Sequence, residues 1–190
     1  MNVDDLLSAY DETTGRIDNA PLTERHLQDL RGCFLDEGAY QAALARGNPL
    51  VYSVACFEPG GNHGDLAYGL GRLLPGRIGS EYFMTKGHLH EWRAAAEFYF
   101  GLSGEGLMLL QEEATCQSRL IELRPKTAVY VPGGTAHRTI NIGSTPLTYL
   151  GVYPAKAGHD YNSIAKENFR CIVIERNGQP AMIPRTDVQK

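Results

Sequence analysis

Thr85-Lys86-Gly87-His88-Leu89-His90, with Glu97 seven positions on, and Pro132-Gly133-Gly134-Thr135-Ala136-His137 are the stretches that decide how this 190-residue chain is read. In an extended segment alternate side chains share a face, so His88 and His90 point to the same side. Glu97 and Tyr99 share a face on the following strand, and His137 comes after a Pro-Gly-Gly turn at the start of another. Three neutral imidazoles and one carboxylate suit a borderline divalent metal such as Fe(II), Mn(II), Ni(II) or Zn(II). Four ligands on a larger-than-tetrahedral ion leave room for two substrate oxygens. No sulfur is involved: Cys33, Cys56, Cys116 and Cys171 are far apart, form no Cys-x-x-Cys pair, and read as reduced, mostly buried thiols.

Working outward, the texture is β. The runs Val51–Phe57, Leu66–Leu74, Glu81–Thr85, Glu97–Leu102, Gly106–Gln111, Arg119–Leu123, Ala128–Val131, Arg138–Ile142 and Leu147–Tyr153 are rich in Val, Tyr, Phe and Leu. Pro75-Gly76, Gly104, Pro132-Gly133-Gly134 and Gly143 punctuate them. Many short strands between turn signals argue an all-β sandwich or barrel. Cys171–Arg176 and Gln179–Ile183 flank Asn177-Gly178, a strong hairpin signal. The first 48 residues differ. Thr23 as cap and Gly32 as stop predict one short helix, and Asp36 opens a second that closes at Gly47. The expected organisation is a helical arm over residues 1–48 packed on a barrel over 49–190 that ends in a hairpin.

Composition narrows the partners. Eighteen Lys and Arg against 22 Asp and Glu give a net charge of −4, so no dominant basic face for nucleic acid is expected. No apolar run approaches the roughly 20 residues needed to cross a membrane. The chain starts Met1-Asn2-Val3-Asp4-Asp5, acidic where a secretory signal would be basic, so a cytoplasmic location is expected.

The histidine pattern resembles the cupin superfamily. Pro132, Gly134, His137 and Asn141 fall at the offsets of the second cupin motif, with Lys126 where that motif begins on Gly. His88-x-His90 and the spacing from Glu97 to Gly104 match the first, although Tyr82 stands where its leading Gly would be. Six residues separate His90 from Glu97, more than the general motif has. That longer insert, with Thr85-Lys86-Gly87 before it and Glu97-x-Tyr99 after it, resembles the cupin-type (archaeal-type) phosphoglucose isomerases. Pro49-Leu50-Val51-Tyr52, Leu74 to Gly79, Val129 to Pro132, Ala136 to Gly143 and Tyr153 to Tyr161 fit the same family, over residues 30 to 178.

The resemblance implies a cupin barrel or jelly-roll sandwich that interconverts glucose 6-phosphate and fructose 6-phosphate. It implies one divalent transition metal per chain, Fe(II) first and Mn(II), Ni(II) or Zn(II) as alternatives, on His88, His90, Glu97 and His137. Glu97 becomes the expected base, Tyr99 an orienting group or proton donor, and His159 a helper in ring opening or proton transfer. A direct hydride shift is equally compatible with the motifs. The sugar phosphate is expected on Tyr52, Thr85, Gly87, Tyr153 and Tyr161, and the oligomer is expected to be a homodimer. Gly71 stands where the family tends to have a polar residue, which leaves one phosphate contact missing or replaced. Strict alternation would put Lys86 beside His88 and His90 with Thr85 opposite. Either the strand is irregular at Gly87, with Lys86 at the surface, or Lys86 faces the site. Trp92, in the insert, either lines the barrel mouth or packs. His26 and His63 read as exposed bystanders. Two other readings use the same motifs: a non-haem iron oxygenase, and a non-catalytic sugar-binding cupin.

Overall fold

Alternating runs become strands where one of their faces can be buried. The computed structural model describes residues 7–58 and 60–186; the acidic start of the chain lies outside the described residues. The amino-terminal part holds β1 (Tyr10–Asp11), β2 (Arg16–Ile17), β3 (Leu22–His26), a 3-10 turn (Leu27–Leu30) and α1 (Glu37–Arg46). Next come β4 (Leu50–Phe57), β5 (Leu66–Leu73), β6 (Arg77–Ile78) and β7 (Glu81–Tyr82). The central strands are β8 (Glu97–Ser103), β9 (Gly106–Glu112), β10 (Ser118–Leu123), β11 (Ala128–Val131), β12 (Thr135–Asn141) and β13 (Leu147–Pro154). The chain continues through α2 (Tyr161–Glu167), β14 (Cys171–Arg176) and β15 (Gln179–Pro184).

Six antiparallel strands in the order β11-β8-β13-β5-β4-β3 form one sheet, and β10-β9-β12 form a second. Leu107, Met108, Leu109, Leu110 and Ile140 of the smaller sheet pack with Leu73, Tyr99, Val129 and Tyr149 of the larger in one core. A third sheet, β15-β14-β7-β6, completes an all-β fold with two short α-helices. Its β14-β15 hairpin turns where expected, with Asn177 at φ +56° and Gly178 at +77°, the backbone a tight two-residue turn requires. The run from Glu81 stops being a regular strand at Tyr82. It continues along β12 only through single bridges, Met84 to Ile140 and His88 to His137.

The amino-terminal helix expected from Thr23 to Gly32 is not formed. Leu22–His26 pairs instead with β4, from Leu22 opposite Ala55 to His26 opposite Leu50. Without that partner β4 would present a row of unpaired N–H and C=O groups, and covering the row outweighs a weak local helix preference. Only Leu27–Leu30 coils, burying Leu27 and Leu30, and the chain still breaks at Gly32 in left-handed backbone (φ +78°). The second expected helix forms as read, with the Asp36 carboxylate accepting from the Ala39 N–H. Helix α2 was not expected; Asp160 caps it by accepting from the Ser163 N–H.

Asn141, the last residue of the second motif, is 0% exposed. Its Nδ2 donates to the carbonyls of Leu73 and Thr145, each at 2.9 Å, and its Oδ1 accepts from the Gly143 N–H at 2.9 Å. One side chain thus ties β5 to the turn after β12. Asn141→Ala should strand buried carbonyls and lower stability by about 3 kcal/mol, read as a fall of roughly 9 °C in Tm. An unchanged Tm would contradict this role.

Candidate metal centre

Four donors converge between the two main sheets. Glu97 begins β8 in the six-stranded sheet, His137 lies on β12 in the three-stranded sheet, and His88 and His90 lie on the irregular segment bridged to β12. One ligand atom from each lies within 4.8 Å of the others. His90 Nε2 and His137 Nε2 stand 3.2 and 3.1 Å from Glu97 Oε2. Even so, these three atoms and His88 Nε2 are buried without a partner in hydrogen-bonding geometry.

The backbone explains this. His90 Nδ1 lies 3.2 Å from the Ala95 carbonyl and His137 Nδ1 lies 3.0 Å from the Thr135 carbonyl. A carbonyl only accepts, so each Nδ1 carries the proton and each Nε2 turns a lone pair toward Glu97. Electron-rich atoms held this way repel unless positive charge sits between them. Burial pushes His88 well below the ordinary histidine range, and His137, His159 and His90 push it further, which keeps it a neutral ligand-type imidazole. Burial works against ionisation of Glu97, and its carboxyl comes down to about 2 when His137 and His90 donate N–H groups to it; with both Nε2 atoms turning lone pairs to it instead, a cation among the four donors takes over that role. The set therefore fits a divalent cation in donor type, protonation and convergence.

The same cavity carries a hydroxyl-rich wall. Tyr52, Thr85, Gly87, Tyr99, Tyr149, Tyr153, His159 and Tyr161 line it together with His88, Glu97 and His137. All of the residues expected from sequence to touch substrate are thus on one cavity, with Glu97 the only carboxylate among its described lining residues. Burial, and then the charge of Glu97, raise Tyr99 well above the ordinary tyrosine range. Burial likewise takes Tyr52 up to about 12, so both phenols remain donors. His159 is held below its usual range, first by burial, and its ring centroid is 4.5 Å from that of His88. Tyr161 stacks on His159 at 10° and is partly exposed, at the rim.

An irregular strand settles the position of Lys86. The Thr85 N–H donates to the Thr139 carbonyl (3.0 Å) and the His88 N–H to the His137 carbonyl (3.2 Å). Three steps on one segment oppose two on β12, so one residue is extra, the signature of a β-bulge. Gly87 absorbs it at φ +75°, where a Cβ would come within 2.7 Å of the Phe169 ring. Thr85 and His88 consequently reach the same cavity, and Lys86 lines a second cavity with Asp29, Arg31 and Asn168.

The insert between His90 and Glu97 has a local task. Arg93 Nη2 donates to Asp160 Oδ2 at 2.6 Å, Arg93 Nη1 donates to the His90 carbonyl, and its Nε pairs with Glu113 at 3.0 Å. Asp160 also exchanges backbone bonds with Leu89, so the turn that carries His159 is tied directly to the ligand segment. Trp92 packs on His63, ring centroids 5.3 Å apart, and does not line the cavity. His63 is exposed as expected. His26 is half-buried at the start of the 3-10 turn, where Asp29 accepts from its N–H. All four thiols are free and only partly buried, more open than expected.

Several lining residues escaped the sequence reading, among them Arg25, Gly151, Tyr149 and Arg138. Gly151 on β13 leaves room for the proposed ligand, because a Cβ there would lie 2.7 Å from Glu97 Oε1. Gly71 leaves room for Tyr149, whose hydroxyl is 2.5 Å from where the Gly71 Cβ would be. That hydroxyl accepts from Thr139 Oγ1 (3.0 Å), which is itself 3.4 Å from Thr85 Oγ1. A phenol thus stands in the space that a side chain at residue 71 would take. Its signal was available: Tyr149 shares a strand face with Gly151 and Tyr153 by simple alternation. Arg138 is a charged residue within a buried stretch of β12.

The family model described as glucose-6-phosphate isomerase matches residues 24–189. The glucose-6-phosphate isomerase of Thermococcus litoralis is 47% identical over 169 residues, 89% of this chain and 88% of that one. The enzyme of the same name from Pyrococcus horikoshii is 44% identical over 173 residues, 91% of each chain. A putative glucose-6-phosphate isomerase 2 from Rhizobium meliloti is 43% identical over 88% of this chain and 84% of its own. Among solved structures, an oxalate oxidase superposes with a TM-score of 0.50 at 17% identity, covering 60% of this chain and 56% of that one. That last likeness concerns the fold alone and bears out the cupin architecture.

Protein incubated with Fe(II) or Mn(II) and then desalted should retain about one ion per chain, measured by elemental analysis. The His88→Ala, His137→Ala double variant should retain almost none. Stoichiometric metal in that variant would remove these residues from the site.

Proposed function

Because the chain belongs to the glucose-6-phosphate isomerase family, we propose that it interconverts glucose 6-phosphate and fructose 6-phosphate using one divalent transition metal on His88, His90, Glu97 and His137. One observation carries the reading: three members of the four-donor cluster, His88, Glu97 and His137, line one cavity with a wall of hydroxyl donors. Fe(II) is our first choice of ion, with Mn(II), Ni(II) and Zn(II) next. When bound, the ion supplies Lewis-acid polarisation of two adjacent sugar oxygens and stabilises the charge that develops on them.

The remaining work falls to the side chains. Glu97, ionised and the only carboxylate on the cavity among the described residues, takes the hydrogen from one of C1 and C2 as a proton and returns it to the other, through a cis-enediol. Tyr99, kept protonated by burial and by Glu97, orients the sugar hydroxyls or donates a proton to them. His159, neutral near pH 7, exchanges a proton with the ring oxygen as the sugar opens. Tyr52, Thr85, the Gly87 N–H, Tyr153 and Tyr161 hold the phosphate, and Tyr149 supplies the contact that Gly71 does not. Hydroxyls and amides bind a phosphate without a large fixed charge, in keeping with a net charge of −4. Activation of O₂ on the same four residues would not call for such a wall.

We also propose a homodimer through the outer face of the six-stranded sheet. Phe98, Phe100 and Tyr130 are 45%, 40% and 52% exposed there and touch one another, ring centroids 6.0 and 5.2 Å apart. Sedimentation should give a dimer that Phe98→Glu converts to a monomer; a monomeric parent protein would overturn this. No helix among the described residues is long and apolar enough to cross a membrane, and a sugar-phosphate substrate supports a cytoplasmic location.

A coupled assay reducing NADP should show glucose 6-phosphate forming from fructose 6-phosphate once metal is added. Flat traces with Fe(II), Mn(II), Ni(II) and Zn(II) alike would sink the isomerase reading. In the same assay Tyr149→Phe should raise KM about tenfold, the worth of one hydrogen bond to a charged group, with a smaller change in kcat.

A further inference from the structure

Arg138 is a buried cation without an anionic partner. It is 2% exposed, on β12 directly after His137. Nη1 donates to Met84 Sδ at 2.8 Å, and Nη2 donates to the Lys86 carbonyl at 2.7 Å and to Asn168 Oδ1 at 3.5 Å. The Phe169 ring lies 4.0 Å from its central carbon, and its Nε has no partner at all. Among the described residues no carboxylate comes within ion-pair distance of it; Glu81 and Arg185 act on it only from further away. A guanidinium does not shed its proton, and an isolated buried charge is expensive. Neutral groups alone are poor compensation for that cost, which suggests that an anion completes the arrangement when it binds.

The path to such an anion runs through one peptide. Lys86 and Gly87 form the bulge, and the Lys86 carbonyl is the group that Arg138 grips. In a trans peptide the carbonyl and the following N–H point in opposite directions. With the carbonyl turned to Arg138, the Gly87 N–H points away from the guanidinium, and Gly87 itself lines the main cavity with Thr85 and Tyr52. That N–H makes no hydrogen bond among the described residues. Arg138 itself borders both this cavity and the second one behind it.

We propose that Arg138 is a positioning residue for the phosphate: it fixes and polarises the Lys86–Gly87 peptide so that the Gly87 N–H is presented to the anion, and it adds its positive field to that of Arg25, which lines the same cavity. This rests on the isomerase reading above, and it assigns part of the charge complement of the substrate phosphate to a side chain that acts through a peptide. Lys86, the nearer cation in sequence, is turned to the other side and does not take that role. Substrate specificity for a phosphorylated over an unphosphorylated sugar follows from the same field.

The test compares metal-loaded parent protein with Arg138→Met and Arg138→Lys. Inorganic phosphate is titrated by calorimetry, which needs no turnover, and KM and kcat for fructose 6-phosphate are measured beside metal content and Tm. Arg138→Met should weaken phosphate binding and raise KM together, by about tenfold or more, as expected for loss of a charge-assisted contact, with a smaller change in kcat and one metal per chain retained. Arg138→Lys keeps the charge but not the fork, and should fall between the two; it decides the matter alone if the Met variant does not fold. Phosphate affinity equal to the parent's in a folded variant would overturn the proposal. So would loss of metal and kcat at constant KM, which would make Arg138 a prop for His137. A parent protein that binds phosphate but shows no turnover would sink the isomerase reading while leaving the role of Arg138 decided by its phosphate affinity.

Discussion

Lone pairs that face one another inside a protein are the constraint on which this structure depends. His90, His137 and Glu97 are buried and His88 is half-buried with its Nε2 enclosed, and two of the imidazoles are locked by backbone carbonyls into the tautomer that aims Nε2 at a carboxylate. Nothing in apolar packing would select that arrangement, and each unmatched buried polar atom lowers stability. It persists because it is over-determined from both sheets: Glu97 by β8 with the gap at Gly151, His137 by β12, and the His88–His90 segment by its bridges to β12 and to Asp160. The stability given up here is the usual cost of a preorganised site.

The two ends of the cavity are coupled by short-range devices. At one end a single extra residue at Lys86–Gly87 reverses the expected alternation and lets Thr85 and His88 serve the same cavity. At the other, the insert after His90 sends Arg93 to Asp160, which caps α2 and carries His159 and Tyr161 into position. Gly71 and Tyr149 show a third device, in which a missing side chain on one strand is the space for a larger one on its neighbour. Each is a change of one or a few residues with an effect across the cavity, as expected in a close-packed interior.

Much of this was legible in the linear chain. Strand runs between turn signals, the Asn177-Gly178 hairpin and the helix capped by Asp36 are local, and local physics decides them. The four converging donors were legible too, because alternation along a strand and motif spacing suffice to put them on common faces. The helix expected at Thr23 failed for the opposite reason: its competitor was the open edge of β4, nearly thirty residues away. Tyr149, Gly151 and Arg138 were missed because their importance lies in what faces them across a sheet.

The sequence by itself determined the all-β class, the cupin motifs and the family, since these rest on residue type and spacing. Only the tertiary structure decided which way Lys86 turns, what fills the space beside Gly71, and where a buried guanidinium sends its charge. Those are questions of which groups meet from distant strands, and a bulge of one residue is enough to reverse the answer.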